Sequence, residues 1–469
     1  MTDFTPLLAA DRGQPARAIH LVDKASFGDW VKGRSAEDRA LLDAHRFDGK
    51  TGYASVMLPS SGGFEVVGAV ANVSSLSPWC LAKLAETLPE GTYKLAQGEP
   101  GKAALGWLLA QHRFDDYRSR KDTERGPRIL LTGEAAAIDR TVRVAQATAL
   151  VRDLVDTPAS HLGPAELEQA VRDLAGRIDA EVKVISGDAL EQGYPLVAAV
   201  GRAASRERAP RLIEAEWGNP KHPRVAIVGK GVCFDSGGLD LKNASGMRLM
   251  KKDMGGAAHA LALFGLIAAE RLPVRLHLLI PAVENAVSAA ALRPGDIVKS
   301  RKGLTVEIDN TDAEGRLILA DALVRAAEGD GEKSRPELIL DFATLTGAAR
   351  VALGPDLPAL FANRDELLEG LEAAAGEADD PLWRMPLWDG YDEMLKSDVA
   401  DLANATGSSM AGCITAALFL GRFVPKEIAW AHLDTFAWRP KAKPGRPKGG
   451  DALGLRAAFH MLIRRFPAG

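Results

Sequence analysis

The sequence has few cysteines and no long apolar run, and each shortage excludes a class of protein. Cys80, Cys233 and Cys413 are the only cysteines in 469 residues and form no CxxC pair, so neither a disulfide framework nor a thiolate zinc site is expected. The opening residues MTDFTPLLAADRG lack the basic and apolar pattern of a secretion leader, which favours a reducing cytoplasm. The longest apolar stretch, residues 257–268, is interrupted by His259 and is shorter than the roughly 20 residues that cross a bilayer. We therefore expect a cytoplasmic protein with no membrane span and a buried helix at this stretch.

The chain also lacks an excess of positive charge. The chain has 58 Lys and Arg against 62 Asp and Glu, a net charge of −4 and a pI of about 6.2. Residues 1–145 carry 19 basic and 18 acidic side chains, whereas binding to a nucleic-acid duplex needs a concentrated basic face. This balance argues against nucleic acid as a partner. It disfavours the alternative that the chain is chiefly a DNA-binding architectural protein on an enzyme scaffold.

Several catalytic motifs are missing as well. The nine histidines never occur as the HExxH of single-zinc peptidases. No GxxxxGK[ST] phosphate loop is present, and GKGVCFDSGG does not fit the dinucleotide pattern GxGxxG. We assign no metal-ligand role to histidine. His432, which follows an apolar run in WAHLD, is predicted to satisfy a hydrogen bond in the core.

The sequence does contain the pattern of an α/β protein in two parts. A hydrophobic content of 46% and a charged content of 26% are typical of a globular chain with a well-developed core. Residues 1–145 mix short strand-like and helical runs, which predicts a small N-terminal α/β domain. Pro158 and Pro164 interrupt the helical pattern in residues 146–164, which predicts a linker helix and loop. In residues 165–469 apolar strand-like runs alternate with helical stretches, which predicts a larger catalytic domain with a mixed β-sheet flanked by helices.

The stretch NTDAEGRL at residues 310–317 brings acidic and basic groups close together along the chain. Asp312 and Glu314 lie two positions apart after the strand-like run TVEIDN, and period-2 alternation is expected to point both carboxylates to one side. Arg316 follows at the start of an apolar helical pattern. Two oxygen donors and a cation at a strand-to-helix turn favour a metal cluster.

A second stretch, residues 229–256, supplies further charged groups. Lys230, Asp235, Lys242 and Asp253 occupy loops that follow the apolar run VAIV, and the glycines among them allow turns that bring side chains together. With the pair in NTDAEGRL, the four carboxylates carry a charge of −4, which two divalent cations would neutralise. Oxygen donors without histidine or cysteine favour Mg, Mn or Zn. Two such ions, roughly 3.5–4 Å apart, would bridge and acidify one water, so the predicted reaction is metal-assisted hydrolysis.

The motifs together resemble those of the leucine aminopeptidase (cytosol aminopeptidase) family of two-metal exopeptidases. NTDAEGRL is that family's signature, and VGKG, FDSGG, KKDMGG, RPGDIV, ADAL and ATLTGA also match, in order, over about residues 145–460. The resemblance implies a zinc-exopeptidase-like catalytic domain that removes the N-terminal residue from short peptides. It also implies a homohexamer, a dimer of trimers around an enclosed cavity.

The resemblance assigns a metal-binding role to five residues. Asp235 and Glu314 would be shared by both divalent metals, Asp312 would complete one site, and Lys230 with Asp253 would complete the other. A lysine ligand must be neutral, which an adjacent dication favours.

The resemblance also implies catalytic and substrate-binding roles. Lys242 would keep its proton and stabilise the developing oxyanion, and Arg316 would hold a bicarbonate-like anion that relays the proton. A further set would contact the substrate, namely Met250, Asn310, Thr344, Leu345 and Gly347. Met250 would line the pocket for the first side chain, where a thioether wall favours apolar residues.

Three segments depart from the family pattern. Asn243 stands where a proline often follows the active-site lysine, and both SSMAGCITAA at 408–417 and TFAW at 435–438 replace family segments of different composition. Phe436 and Trp438 are bulky enough to narrow the substrate pocket, so a preference for leucine is not implied. A catalytically silent relative kept for assembly is a further hypothesis, which is disfavoured because all seven key positions are filled.

Overall fold

The computed structural model describes residues 2–61, 63–119, 126–329 and 335–467. The chain divides into two units, Met1–Ala149 with Lys441–Lys448, and Leu150–Pro440 with Gly449–Gly469. Both units contain β-sheets and helices, so the predicted two-part α/β fold is confirmed. Within the described ranges, no helix combines the length and apolar character needed to span a membrane.

The described residues of the smaller unit form one sheet of six strands. These are β1 (Leu8–Ala10), β2 (Arg17–Val22), β3 (Ser55–Ser60), β4 (Gly63–Ala69), β5 (Gly91–Leu95) and β6 (Arg128–Thr132). They lie in the order β1-β6-β5-β2-β4-β3, and each neighbouring pair is parallel except β3 with β4. Its helices are α1 (Phe27–Lys32), α2 (Ala36–Ala44), α3 (Ala82–Thr87) and α4 (Ala103–Leu109).

The larger unit contains a mixed sheet of nine strands. These are β7 (Glu181–Ser186), β8 (Arg211–Trp217), β9 (Arg224–Gly229), β10 (Gly231–Asp235), β11 (Arg275–Asn285), β14 (Leu338–Ala343), β15 (Ala359–Ala362), β16 (Trp383–Arg384) and β18 (Ala429–Asp434). Eight of them follow the order β16-β15-β18-β14-β9-β11-β8-β7, and β10 pairs with β11. The central strands β18, β14, β9 and β11 are parallel, so their carboxyl ends meet at one edge.

Smaller sheets and the helices complete the larger unit. One sheet joins β12 (Ile297–Lys299), β13 (Thr305–Glu307) and β17 (Leu402–Ala403), and a pair joins β19 (Trp438–Arg439) and β20 (Gly449–Gly450). Helix α5 (Ile138–Asp156) contains the division between the units. The remaining helices are α6 (Pro164–Ile178), α7 (Asp188–Gly193), α8 (Pro195–Gly201), α9 (Ala244–Met247), α10 (Gly255–Glu270), α11 (Glu314–Ala327), α12 (Gly347–Leu353), α13 (Asp365–Ala378), α14 (Gly412–Gly421) and α15 (Leu455–Arg465).

The central strands form because their sequences are apolar almost throughout. Every residue of β9 (RVAIVG) and β14 (LILDFA) is buried, and α10 and α11 both pack against β9. A parallel strand covered on both faces needs a continuous apolar run rather than an alternating one. Helix α10 is also buried along most of its length, which confirms the buried helix predicted at residues 257–268.

Candidate active site

The predicted metal-binding residues meet where strands of the large sheet end. Lys230 directly follows β9, and Asp235 is the last residue of β10. Asp253 lies in the 3-10 turn Met250–Met254 that precedes α10, and Glu314 is the first residue of α11. Open α/β sheets bind ligands at the carboxyl ends of their strands, which is the edge that these residues occupy.

The backbone around Asp312 differs from the sequence prediction. Strand β13 ends at Glu307, so neither Asp312 nor Glu314 lies on a strand and the predicted period-2 placement is wrong. Asp312 lies in a turn instead, where the Asp312 N–H donates to Asn310 Oδ1 at 2.8 Å. The Asn310 N–H donates in turn to Asn404 Oδ1 at 3.1 Å. Asparagine side chains that bond the backbone compete with strand pairing, which explains the early end of the strand.

Five predicted ligands converge in space. One carboxylate oxygen from each of Asp235, Asp312 and Glu314 lies within 4.8 Å of the other two. Lys230 Nζ lies 2.5 Å from Asp253 Oδ2 and 3.0 Å from Glu314 Oε1. The first three residues therefore form one carboxylate cluster, and Lys230 connects that cluster to the fourth acid.

Lys242 is the sixth member of the group. Its Nζ lies 2.9 Å from Asp235 Oδ2 and also contacts Asp312 Oδ1. Lys242 is half-buried, whereas Lys230 is fully buried, so only Lys242 keeps partial access to solvent. This exposure leaves its ammonium available to a bound molecule.

Burial and neighbouring charges shift the pKa values of the acids. Burial, and then repulsion from Asp235, raise the pKa of Glu314 to about 8 and that of Asp312 to about 6. Burial also raises the pKa of Asp253, but Lys230 and Lys252 outweigh it and lower that pKa to about 2.

The pKa values of Lys230 and Lys242 shift in the direction opposite to the one that burial alone would give. Burial lowers the pKa of Lys230, yet the carboxylates of Asp253, Glu314 and Asp235 outweigh burial and raise it. The pKa of Lys242 is raised for the same reason, by Asp235 and by the hydrogen bond to Asp312. The carboxylates around both amines therefore favour the protonated form at neutral pH.

Two supporting residues hold the acids in place. Asn285, the last residue of β11, donates from Nδ2 to Asp235 Oδ1 at 2.9 Å, and Thr344 Oγ1 donates to Asp253 Oδ1 at 2.8 Å. The sequence did not predict a role for Asn285. Its position was an available signal, because an asparagine that ends a long apolar strand lies at the sheet edge where ligands bind.

A cavity of about 590 Å³ lies over the cluster. Four of the five predicted substrate contacts line it, namely Met250, Thr344, Leu345 and Gly347. Asn310 and Arg316 are not among the described residues that line it. Arg316 is buried, donates from Nη1 to Asn404 O at 2.7 Å, and has a pKa lowered by burial to about 10.

His432 has the structural role predicted for it. Its side chain is fully buried in β18, and Nδ1 lies 2.5 Å from Asp341 Oδ1 on the neighbouring strand β14. The prediction of a core hydrogen bond is confirmed.

Comparison with known proteins identifies the family. The description "Cytosol aminopeptidase family, catalytic domain" matches residues 149–459, and "M17 aminopeptidase, N-terminal domain" matches residues 18–130. The chain belongs to the cytosol aminopeptidase family. The resemblance predicted from NTDAEGRL and the accompanying motifs is thereby confirmed.

Relatives within the cytosol aminopeptidase family are similar over most of the chain. The probable cytosol aminopeptidase of Syntrophotalea carbinolica is 43% identical over 373 residues, 76% of this chain and 73% of the relative. The crystal structure of the Coxiella burnetii cytosol aminopeptidase has a TM-score of 0.91 at 44% identity and covers 98% of this chain and 99% of that chain. The bottromycin maturation enzyme BotP in complex with Mn has a TM-score of 0.85 at 32% identity, and the match covers 98% of this chain and 99% of that chain. As a member of this family, the protein is a metal-dependent aminopeptidase, a hydrolase that acts on peptide bonds.

Proposed function

We propose that the protein removes the N-terminal residue from short peptides, using two divalent cations bound at the carboxylate cluster. The observation that carries the proposal is the convergence of the Asp235, Asp312 and Glu314 oxygens within 4.8 Å, beside the pair of Lys230 and Asp253. We assign Asp235 and Glu314 to both metals, Asp312 to one, and Lys230 with Asp253 to the other.

The donor set fits two dications. The four carboxylates of Asp235, Asp253, Asp312 and Glu314 carry more negative charge than one dication neutralises. Burial, and then repulsion from Asp235, raise the pKa values of Glu314 and Asp312, which fits groups whose charge a bound cation would stabilise. When bound, the metals supply a shared, acidified water as nucleophile and polarise the scissile carbonyl. Mn²⁺ is our first choice, because the structural relative BotP is described in complex with Mn, and oxygen donors also suit Zn²⁺ and Mg²⁺. Lys230 would bind as a neutral amine, since a neighbouring dication favours loss of its proton.

Lys242 is proposed to stabilise the oxyanion. Its ammonium is held by Asp235 and Asp312, and its raised pKa keeps it charged at neutral pH. It would donate a hydrogen bond to the carbonyl oxygen as that oxygen gains charge, a contribution of about 3 kcal/mol in a site of this kind.

Arg316 is proposed to hold a bicarbonate-like anion. With the four carboxylates engaged as ligands, another group must accept and return the proton. Arg316 Nε is buried and has no hydrogen-bond partner among the described residues, which fits an anion beside it. The guanidinium stays charged at neutral pH because its lowered pKa is still about 10.

The substrate would occupy the cavity above the cluster. Contacts are proposed from Met250, Asn310, Thr344, Leu345 and Gly347, of which all except Asn310 line the cavity. The free N-terminal amine of the peptide would complete the coordination, since an internal peptide bond has no amine at that distance. The homohexamer and the cytoplasmic location stay predictions.

The requirement for a free amine tests this function. The purified protein, supplied with Mn²⁺, is expected to release the first residue from leucyl, methionyl and alanyl peptides and aminoacyl amides. N-acetylation should lower kcat/KM by about 100-fold or more, because it removes the amine that orients the substrate. Mass spectrometry of the products measures both quantities. Equal cleavage of the acetylated peptide, or cleavage at internal bonds, would contradict the proposal.

Replacement of Lys242 tests the oxyanion role. In Lys242→Met, kcat is expected to fall by about 10²–10³-fold with a smaller change in KM, because the charge on the oxygen develops in the transition state. Bound metal, measured by elemental analysis, should stay at the wild-type level because Lys242 is not a proposed ligand. Lys221→Met, at an exposed lysine, is the matched control and should retain wild-type kcat. A Lys242→Met enzyme with full kcat rules out this role.

A further inference from the structure

The cavity contains a cation that the proposed mechanism does not use. Lys230, Lys242 and Lys252 line the cavity, and each lies within ion-pair distance of a carboxylate. Arg350 lines the same cavity, is exposed, and forms no ion pair with any acid of the described residues. Its guanidinium lies 5.0 Å from the centre of the Phe436 ring. The cavity therefore offers one positive charge that its own acids do not neutralise.

Local structure fixes the segment that carries Arg350 at the wall of the cavity. Arg350 lies in α12, whose N-cap is Thr346, and the Thr346 hydroxyl accepts a hydrogen bond from the Ala349 N–H at 3.0 Å. Asp434 Oδ2 accepts a hydrogen bond from Thr346 Oγ1 at 2.6 Å, and Asp434 Oδ1 accepts one from the Leu345 N–H at 2.9 Å. These bonds tie the start of α12 to the end of β18, one helical turn before Arg350.

Phe436 supports the guanidinium from the segment that follows β18. Its ring lines the cavity together with Met250, the proposed wall for the first side chain of the substrate. An arginine that stacks on an aromatic ring loses part of its conformational freedom while its N–H groups stay free to donate. The contact with Phe436 thus restricts the Arg350 side chain at the wall of the cavity.

The guanidinium of Arg350 favours one type of ligand. A planar guanidinium pairs best with a carboxylate, through two parallel N–H···O bonds. The acids of the cavity have other partners. Asp434 accepts hydrogen bonds from the start of α12, and Asp253 pairs with Lys230. The remaining three, Asp235, Asp312 and Glu314, form the carboxylate cluster. The partner must therefore come with the substrate.

We propose that Arg350 binds a carboxylate of the substrate, so that the enzyme favours short peptides with a negative charge close to the scissile bond. This inference rests on the proposed aminopeptidase function. The carboxylate has two chemical sources, an acidic side chain at the first residue or the C-terminus of a dipeptide. Both present the same group to the guanidinium, and matched substrates distinguish them.

Two substrate pairs provide the test. Glutamyl-glycinamide against glutaminyl-glycinamide isolates a side-chain carboxylate, and leucyl-glycine against leucyl-glycinamide isolates the terminal one. Each pair yields a ratio of kcat/KM values, charged over neutral. We expect at least one ratio to fall by about tenfold in Arg350→Gln, because the variant loses one hydrogen-bonded ion pair between the guanidinium and the substrate carboxylate. The ratio that falls identifies the source, and in the wild type it should also decrease as ionic strength rises.

Matched variants separate charge from structure. Arg350→Lys keeps the positive charge but loses the planar guanidinium that donates two parallel hydrogen bonds. Its charged-over-neutral ratio of kcat/KM should therefore lie between those of the wild type and Arg350→Gln. Arg172→Gln removes an exposed arginine in α6 that does not line the cavity, and it should leave both ratios at wild-type values. Ratios that are unchanged in Arg350→Gln overturn the inference. Absence of hydrolysis of every neutral peptide by the metal-loaded wild type would instead refute the proposed function.

Discussion

Removal of divalent metal is expected to abolish turnover, and Mn²⁺ or Zn²⁺ is expected to restore it. Four carboxylates and two amines meet at the candidate active site, and the proposed ligands of the metals are the four carboxylates and Lys230. A nucleophile and a polarised carbonyl both depend on the metals, so the loss should reach about 10³-fold or more, equivalent to several kcal/mol of barrier. The measurement is the hydrolysis of a leucyl amide before chelation, after chelation and after metal is returned.

Two further measurements distinguish a specific metal site from a nonspecific effect of added salts on activity. Ca²⁺ should fail to restore activity, because it prefers six to eight oxygen ligands and the proposed set includes the amine of Lys230. The affinity for Mn²⁺ should weaken as the pH falls below about 8, since Glu314 has a pKa raised to about 8 by burial and must lose its proton to bind. Peptide cleavage at the wild-type rate by metal-free protein would refute the proposed chemistry.

Asp312→Ala is expected to eliminate catalysis while the fold survives. Asp312 is assigned to one metal, so its removal should empty that site and lower kcat/KM by about 10³-fold or more. Elemental analysis should find about one metal per chain in place of two. Activity at the wild-type level in this variant would refute the ligand assignment.

The stability of the variant follows from the sign of the pKa shift. The pKa of Asp312 is raised to about 6 by burial and then by Asp235, so its ionised form is less favourable in the folded protein than in the unfolded chain. At pH 7 the removal of this carboxylate should not lower the Tm of the metal-free protein. The rise in Tm on addition of Mn²⁺ should shrink, because fewer metals bind the native state.

Asp309→Ala is the matched control for Asp312→Ala. Asp309 is exposed, lies three residues earlier in the same segment and does not belong to the carboxylate cluster. It should retain wild-type activity, metal content and Tm. A loss in Asp309→Ala equal to that in Asp312→Ala would mean that the segment, not the ligand, accounts for the effect.

Much of the candidate site could be predicted from short motifs. Lys230, Asp235 and Asp253 lie in one glycine-rich stretch, where the residue types indicated a charged cluster and the glycines allowed the turns. The backbone at Asp312 could not be predicted in this way, because Asn404, distant along the chain, fixes the turn through a hydrogen bond to Asn310. Local periodicity carries no information about such a contact.

The sequence by itself determined the family, the α/β class and the set of available acids and amines, because these depend on residue identity, order and periodicity. Only the tertiary structure decided that Asn285 supports Asp235 and that Arg350 lines the cavity over the carboxylate cluster. The physical reason is that these groups lie far apart along the chain. Their separation in space is set by the packing of β9, β10, β11, α11 and α12, which no local pattern encodes.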